Sequence, residues 1–131
     1  MISENIHSPL IESLNESFME IVSILKTLGN ENRVQILLNL LKGSKSFGTL
    51  VDNLGKKNTA VSNHLTQLLE TNLIEKDYGI YRISGDGIEF MKAVDSAFQK
   101  SPTRQMKKFQ DLQSRKISNS FLNRFSQSSP T

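Results

Sequence analysis

Residues 47–72 constrain the fold of this chain more than any other stretch. Two short helical patterns, at residues 47–54 and 59–69, are joined at Gly55. In the second pattern the apolar residues recur at core-facing spacing, while small and polar residues gather on and just before its first two turns. The apolar set is Val61, Leu65, Leu68 and Leu69, and the polar set is Asn58, Thr59, Ser62, Asn63 and His64. This arrangement predicts a helix-turn-helix whose second helix presents its amino-terminal end to DNA base edges.

A long helix is predicted before this pair. Ser8 is expected as its N-cap, with Pro9 in the first helical position and Gly29 ending the helix after Leu28. Its apolar residues are separated by alternating steps of three and four, the spacing of a coiled-coil seam. They are Ile11, Leu14, Phe18, Ile21, Leu25 and Leu28. The stripe fits a helix packed on its own domain and a stripe shared with a second subunit equally well.

The remaining elements follow from capping and turn signals. Asn30 and Ser46 are expected to cap the next two helices, and Ser84 a later helix that ends before Ser101-Pro102. Between the helix pair and the helix capped by Ser84, alternating residues at 74–76 and 80–83 flank a bend at Gly79 and predict a short β-hairpin. The predicted fold class is therefore mainly α (α+β), a winged helix-turn-helix with a hairpin wing and flanking N- and C-terminal helices.

The charge is unevenly distributed. The net charge is +3, but residues 1–100 hold ten Lys and Arg against twelve Asp and Glu, whereas residues 101–131 hold six against one. We expect a flexible N-terminus (1–8), one domain (9–100) and a basic C-terminal extension (101–131) with a helix near 103–116 that frays afterwards. The extension could grip DNA outside the core site, pack over a dimer or act only as a solubilising end.

Several classes of function find no support in the sequence. The chain has no cysteine, which excludes disulfides and thiolate metal sites. It shows no signal peptide and no apolar run approaching the ~20 residues that span a bilayer, so we expect no membrane partner and a cytoplasmic, nucleoid-associated protein. No nucleophile and base are grouped as an enzyme would need. We therefore expect neither an enzyme nor a cofactor.

Two blocks carry a family resemblance. Residues 24–37, with Leu28-Gly29 before Arg33 and Ile36-Leu37, and the run from Val61 to Leu65 followed by Leu68 and Leu73-Ile74, resemble the ArsR-type winged helix-turn-helix repressors. The resemblance covers roughly residues 20–98. It implies a homodimeric, DNA-binding repressor of transcription whose first and last helices form the dimer interface. The matching interface residues are Ile11, Leu14, Phe18, Ile21, Leu25, Phe90, Val94 and Phe98.

The sequence departs from the family pattern at its metal sites and in the recognition helix. Metal-sensing relatives carry two cysteines where this chain has Ser46 and Gly48. Others use histidines with carboxylates on the last helix, where this chain has Asp86, Glu89 and Asp95 without a histidine. Zinc prefers thiolate or imidazole ligands, so these carboxylates are interpreted as solvated charge and no metal site is expected. Asn63 stands where the family often has Arg, which predicts a different base preference.

Ten residues are the candidates for contact with double-stranded DNA. They are Lys56, Lys57, Asn58, Thr59, Ser62, Asn63 and His64 of the helix pair and Lys76, Tyr78 and Arg82 of the wing. Lysines supply sequence-independent attraction to phosphate, and asparagine suits adenine. His64 could donate to a phosphate, read a guanine edge or brace the turn.

One such helix makes too few contacts for tight binding, so a dimer on a palindromic operator is expected. The effector and the regulated genes are not indicated by the sequence. The competing hypothesis is a winged-helix protein-interaction module that no longer reads DNA. The slightly acidic body of the chain and the mixed charges of the wing favour that alternative.

Overall fold

The structure is a computed structural model that describes residues 6–127. The chain divides into two compact units, Met1–Glu89 and Phe90–Thr131. The helices are α1 (Ser8–Glu16), α2 (Phe18–Leu28), α3 (Glu31–Leu41), α4 (Phe47–Leu54), α5 (Asn58–Glu70), α6 (Gly85–Lys100) and α7 (Pro102–Gln127). The strands are β1 (Lys45–Ser46), β2 (Ile74–Asp77) and β3 (Ile80–Ile83).

The three strands form one antiparallel sheet in the order β1-β3-β2. The hairpin of β2 and β3 is the predicted wing, with Glu75 directly opposite Arg82. Strand β1, which pairs Lys45 with Tyr81, was not predicted. The helical content and the small sheet confirm the mainly α, winged helix-turn-helix class. None of the described helices combines the length and the apolar character needed to cross a membrane.

Short polar side chains start three of the helices, as predicted. Asn30 Oδ1 accepts a hydrogen bond from Arg33 N at 3.1 Å and Ser46 Oγ accepts one from Thr49 N at 3.2 Å. Ser84 Oγ accepts from Gly87 N at 2.9 Å and also donates to the carbonyl of Asn72 at 2.6 Å. Each cap satisfies a backbone donor that lacks a partner inside its helix. The bond to Asn72 additionally ties the start of α6 to the segment that follows α5.

The core of the first unit lies where α3, α4 and α5 meet the sheet. Its apolar residues are Ile36, Leu37, Leu40, Leu50, Val61, Leu65, Leu68, Leu73, Ile74 and Tyr81. Gly87 shows how closely α6 approaches this core, since a Cβ at that position would collide with the carbonyl of Leu73. This packing places the helix pair of residues 47–70 against α3. The same helix pair carries most of the candidate DNA contacts.

The prediction of one helix from Ser8 to Leu28 was wrong. The helix breaks at Ser17, whose φ of −121° and ψ of 31° are not helical, and α2 begins where Ile21 N donates to Ser17 O at 3.0 Å. His7, not Ser8, holds the N-cap position of α1. Serine is a weak helix former, and α1 has no buried residue whose packing would hold it in line with α2.

The extent of the C-terminal helix was also underestimated. Instead of fraying near residue 116, α7 continues to Gln127. Its described apolar side chains, which include Met106, Phe109 and Ile117, are exposed. The serines that suggested fraying stand among Lys, Arg, Gln and Leu, which are good helix formers.

Candidate nucleic-acid interface

Helix α5 is anchored by one face and open on the other. Val61, Leu65 and Leu68 are at most 1% exposed and pack in the core. The polar side chains of the first two turns are exposed, except His64, which is half-buried. The exposed members are Asn58, Thr59, Ser62 and Asn63. The structure therefore brings together, on one helix, the five α5 residues predicted to contact DNA.

The turn before α5 depends on Gly55. This residue has φ of +62° and ψ of 31°, the left-handed conformation that disfavours a side chain, and its N–H donates to Val51 O at 2.9 Å. A Cβ at Gly55 would meet open space, so the requirement for glycine lies in the backbone conformation alone. A second contact, from Asn53 Nδ2 to Asn39 Oδ1 at 3.1 Å, links α4 to α3.

The amino-terminal end of α5 has the features of an anion site. Lys57 occupies the N-cap position without a capping side-chain bond, and no acidic residue lies in the first turn. The free N–H groups and the positive end of the helix dipole favour a phosphate there. Lys56 and Lys57 are both exposed at this position. Their charges and the helix end therefore act on the same region of space.

His64 is held by a residue that sequence reasoning missed. Arg33 of α3 places Nη1 at 3.4 Å from His64 Nδ1, while its Nε donates to Thr27 O at 2.7 Å. Burial, and to a smaller degree the charge of Arg33, lowers the pKa of His64 below its ordinary value of 6.5. His64 is therefore mainly a neutral imidazole at neutral pH. The sequence indicates Arg33 only through the family resemblance, because a contact across 31 positions leaves no local signal.

The wing combines an exposed tip with charges that cancel. Tyr78 and Gly79 form its two-residue turn with φ of 49° and 77°, and the Tyr78 side chain is 99% exposed. Arg82 forms ion pairs with Glu75 at 2.8 Å and Asp77 at 3.6 Å. Lys76 lies over the Tyr81 ring at 5.3 Å from its centre. Of the three predicted wing contacts, Arg82 is thus engaged by carboxylates, and Lys76 and Tyr78 are exposed.

The predicted dimer residues present apolar surface in both units. In the first unit Ile11, Leu14, Phe18 and Leu25 are exposed and Ile21 is half-buried. In the second unit the exposed members are Phe90, Val94 and Phe98. Large apolar side chains clustered on a surface commonly mark an interaction site. Phe98 also carries the guanidinium of Arg104 at 5.5 Å from its ring centre.

The carboxylates of α6 do not converge. Within residues 6–127, no three His, Asp or Glu side chains lie close enough together to hold a metal ion. With no cysteine in the sequence, the positions that bind metal in metal-sensing relatives hold no thiolate here.

The architecture assembled above is that of a winged helix-turn-helix DNA-binding protein. A family model described as "Bacterial regulatory protein, arsR family" matches residues 30–76. HlyU from Vibrio cholerae N16961 is 30% identical, covering 60% of this chain and 89% of its own, with a TM-score of 0.51. The chain belongs to the arsR family of bacterial regulatory proteins, as the resemblance implied.

Two further solved structures share the fold. The transcriptional repressor BigR from Xylella fastidiosa is 24% identical, covers 67% of this chain and 92% of its own, and has a TM-score of 0.54. The homodimeric winged helix-turn-helix DNA-binding domain of Mb0332 from Mycobacterium bovis is 23% identical, with coverages of 76% and 92% and a TM-score of 0.54. No curated protein sequence matches the chain significantly.

Family membership decides between the broad classes of function. The chain is a DNA-binding transcriptional regulator and not an enzyme, because its family and its solved neighbours are regulators. This conclusion disfavours the alternative of an interaction module that no longer reads DNA.

Proposed function

We propose that the protein is a homodimeric repressor that binds a palindromic operator through α5 and has no metal ion at the positions used by metal-sensing relatives. The observation that carries this proposal is the exposed polar start of α5 on a fully buried apolar anchor. Such a helix can enter the major groove without loss of core packing. Repression rests on the family resemblance and on the shared fold of BigR, which is named a transcriptional repressor.

The candidate residues other than His64 differ in their chemical roles in this proposal. Lys56 and Lys57 bind phosphates at the helix start, with Thr59 and Ser62 as hydroxyl donors. Asn58 and Asn63 make paired hydrogen bonds suited to adenine. Because Glu75 and Asp77 neutralise Arg82, the wing adds little affinity, and Lys76 and Tyr78 are its remaining contacts.

Dimer formation is proposed from the exposed apolar residues of α1, α2 and α6. A two-fold dimer sets the two recognition helices about 34 Å apart, one turn of DNA. Mb0332, which shares the fold, is named a homodimer. Within this proposal residues 9–100 supply DNA binding and dimerisation, and residues 101–131 are a separate basic extension. Light scattering on the full chain, with Phe18→Ser as the test variant, measures the oligomeric state.

The experiment selects an operator from random duplex DNA and then titrates variants by fluorescence polarisation at fixed salt. We expect Asn63→Ala to relax sequence preference, at a cost of about 1–3 kcal/mol on the selected site, and Lys57→Ala to weaken binding to all sequences alike. Gln35→Ala, an exposed change on α3, is the matched control and should leave affinity unchanged. If both α5 variants bound the operator like the wild-type chain, the proposed interface would be wrong.

Repression is tested separately with a reporter placed behind the selected operator. The wild-type chain should lower transcription, and Asn63→Ala should restore it. A rise in transcription on expression of the wild-type chain would identify an activator instead.

A further inference from the structure

Arg33 contacts both the end of α2 and the recognition helix α5. It stands in the first turn of α3 and donates from Nε to Thr27 O at 2.7 Å and from Nη2 to Lys26 O at 3.2 Å. Both acceptors are in the last turn of α2, where carbonyls lack partners inside the helix and a cation is favoured. The third contact crosses to the recognition helix, where Nη1 lies 3.4 Å from His64 Nδ1. One planar group thus links the end of α2 to α5.

The chemistry of the guanidinium fixes the state of the imidazole. Arginine is always protonated and has only donors, so the nitrogen facing it must be an acceptor. His64 Nδ1 is therefore bare, and the proton of the neutral ring is on Nε2. Among the described residues Nε2 has no hydrogen-bond partner, although His64 stands on the helix proposed to face DNA.

We propose that Arg33 is a positioning residue for DNA recognition, which holds the His64 ring in one orientation with its proton on Nε2. The imidazole then offers DNA a donor and no acceptor. It can bond a phosphate oxygen or a purine N7, and it cannot accept from the amino groups of adenine or cytosine. This inference rests on the proposed contact between α5 and DNA.

A simpler role for Arg33 is to cap α2 and stabilise the fold. The two backbone bonds account for that role, and they do not require a histidine on α5. The contact with His64 adds a consequence that capping alone lacks, namely a fixed tautomer. The two roles can therefore be separated by observing the ring itself.

The first measurement is the nitrogen NMR spectrum of the imidazole in the full chain at neutral pH. The chain has two histidines, so His7→Gln leaves His64 as the only signal. We expect a bare Nδ1 and a protonated Nε2, and a mixture of both tautomers in Arg33→Met. Arg33→Lys keeps the charge without the planar fork, so it should also give a mixture. A proton on Nδ1 in the parent chain, or an unchanged tautomer in both Arg33 variants, overturns the inference.

The second measurement is a double-mutant cycle on the selected operator. We expect Arg33→Met to weaken binding about three- to tenfold, the worth of one net hydrogen bond, and to have less than about a twofold effect when His64 is already alanine. An equal loss in both backgrounds means that Arg33 acts through α2 alone, and the inference fails. Arg33→Lys enters the same cycle if Arg33→Met does not fold, as judged by circular dichroism.

The two measurements also separate this inference from the proposed function. A chain that shows the expected tautomer but binds no duplex DNA overturns the proposed function, and with it the role of Arg33 in recognition. A chain that binds its operator but shows no coupling between Arg33 and His64 overturns only the role assigned to Arg33.

Discussion

The helix pair α4–α5 and the terminal helix α7 are both amphipathic in sequence, but their apolar residues have different environments. In the pair, Leu50, Val61 and Leu65 are at most 1% exposed. In α7, Met106, Phe109 and Ile117 are each more than half exposed. The apolar side chains of the pair are buried within their own unit. The apolar side chains of α7 have no such burial within the part of the chain that the structure describes.

The two regions also differ in how far their positive charges are neutralised. The wing beside the helix pair has its Arg82 neutralised by Glu75 and Asp77. Residues 101–131 carry six cations against one acid. Stability should therefore depend on the helix pair, and α7 should respond mainly to salt and to binding partners. Variants in each region test that division.

The largest difference is expected from the apolar residues themselves. Leu65→Ala should lower the free energy of unfolding by about 2–5 kcal/mol, because it leaves a cavity in the core. Phe109→Ala should change it by no more than about 0.5 kcal/mol, since the side chain is 59% exposed. Urea denaturation followed by circular dichroism measures both. Comparable losses in the two variants would show that α7 is packed as firmly as α5.

Two glycines of the helix pair should respond oppositely to the same substitution. Gly55→Ala forces a side chain into the left-handed conformation and should cost about 1–2 kcal/mol of stability. Gly48 lies in the first turn of α4, where a Cβ would meet nothing within 4 Å, so Gly48→Ala should stabilise by about 0.4–1 kcal/mol. Thermal unfolding of the two variants gives the signs. A stabilised Gly55→Ala chain would contradict the conformational argument for the turn.

The features predicted correctly from the sequence are those encoded by neighbouring residues. The caps at Asn30, Ser46 and Ser84 each accept from an N–H three positions along the chain. The turns at Gly55 and Gly79 need a positive φ, and glycine in the sequence indicates such a position because it adopts a positive φ without strain. The winged helix-turn-helix class followed from these signals together with the apolar spacing.

The features that were missed depend on contacts between distant parts of the chain, or on whether packing outweighs a weak local preference. Strand β1 exists only because Lys45 and Ser46 pair with β3, and two residues carry no periodicity of their own. The contact of Arg33 with His64 spans 31 positions. The break at Ser17 interrupts a regular apolar stripe, because spacing alone does not show whether packing will hold a helix straight. Five of the candidate DNA contacts lie together on α5, but the contact of Arg33 with His64 was not predicted.

Salt dependence should separate the cations of the two regions. Each lost phosphate contact lowers the slope of log affinity against log salt by about 0.9. We expect Lys56→Gln with Lys57→Gln to lower the slope by up to about 1.8 per half-site, because in the proposed interface each of these lysines neutralises one phosphate. The triple change of Lys107, Arg115 and Lys116 to Gln should lower it by less than about one per half-site, because the proposed interface does not include α7.

This comparison is measured on a duplex that carries the core operator with long flanks, and Lys42→Gln, an exposed change at the end of α3, is the control. A slope reduced by about 2.7 per half-site in the triple variant would place all three α7 cations on phosphates. The basic extension would then be part of the DNA-binding surface, and the division of roles between the two regions would fail.

The smallest effect is expected from the titration of His64. Its pKa is lowered in the folded chain by burial and then by Arg33, so below the ordinary value of 6.5 the unfolded chain binds a proton that the folded chain resists. Stability should therefore fall as the pH drops from 6.5 towards the lowered pKa, and should be unaffected by this group at higher pH. Urea denaturation at about pH 7.5 and about pH 5.5 measures the fall. In His64→Gln the part due to this ring should vanish while the carboxylate contribution remains. An identical pH dependence in both chains would show that Arg33 and the surrounding core do not perturb the imidazole.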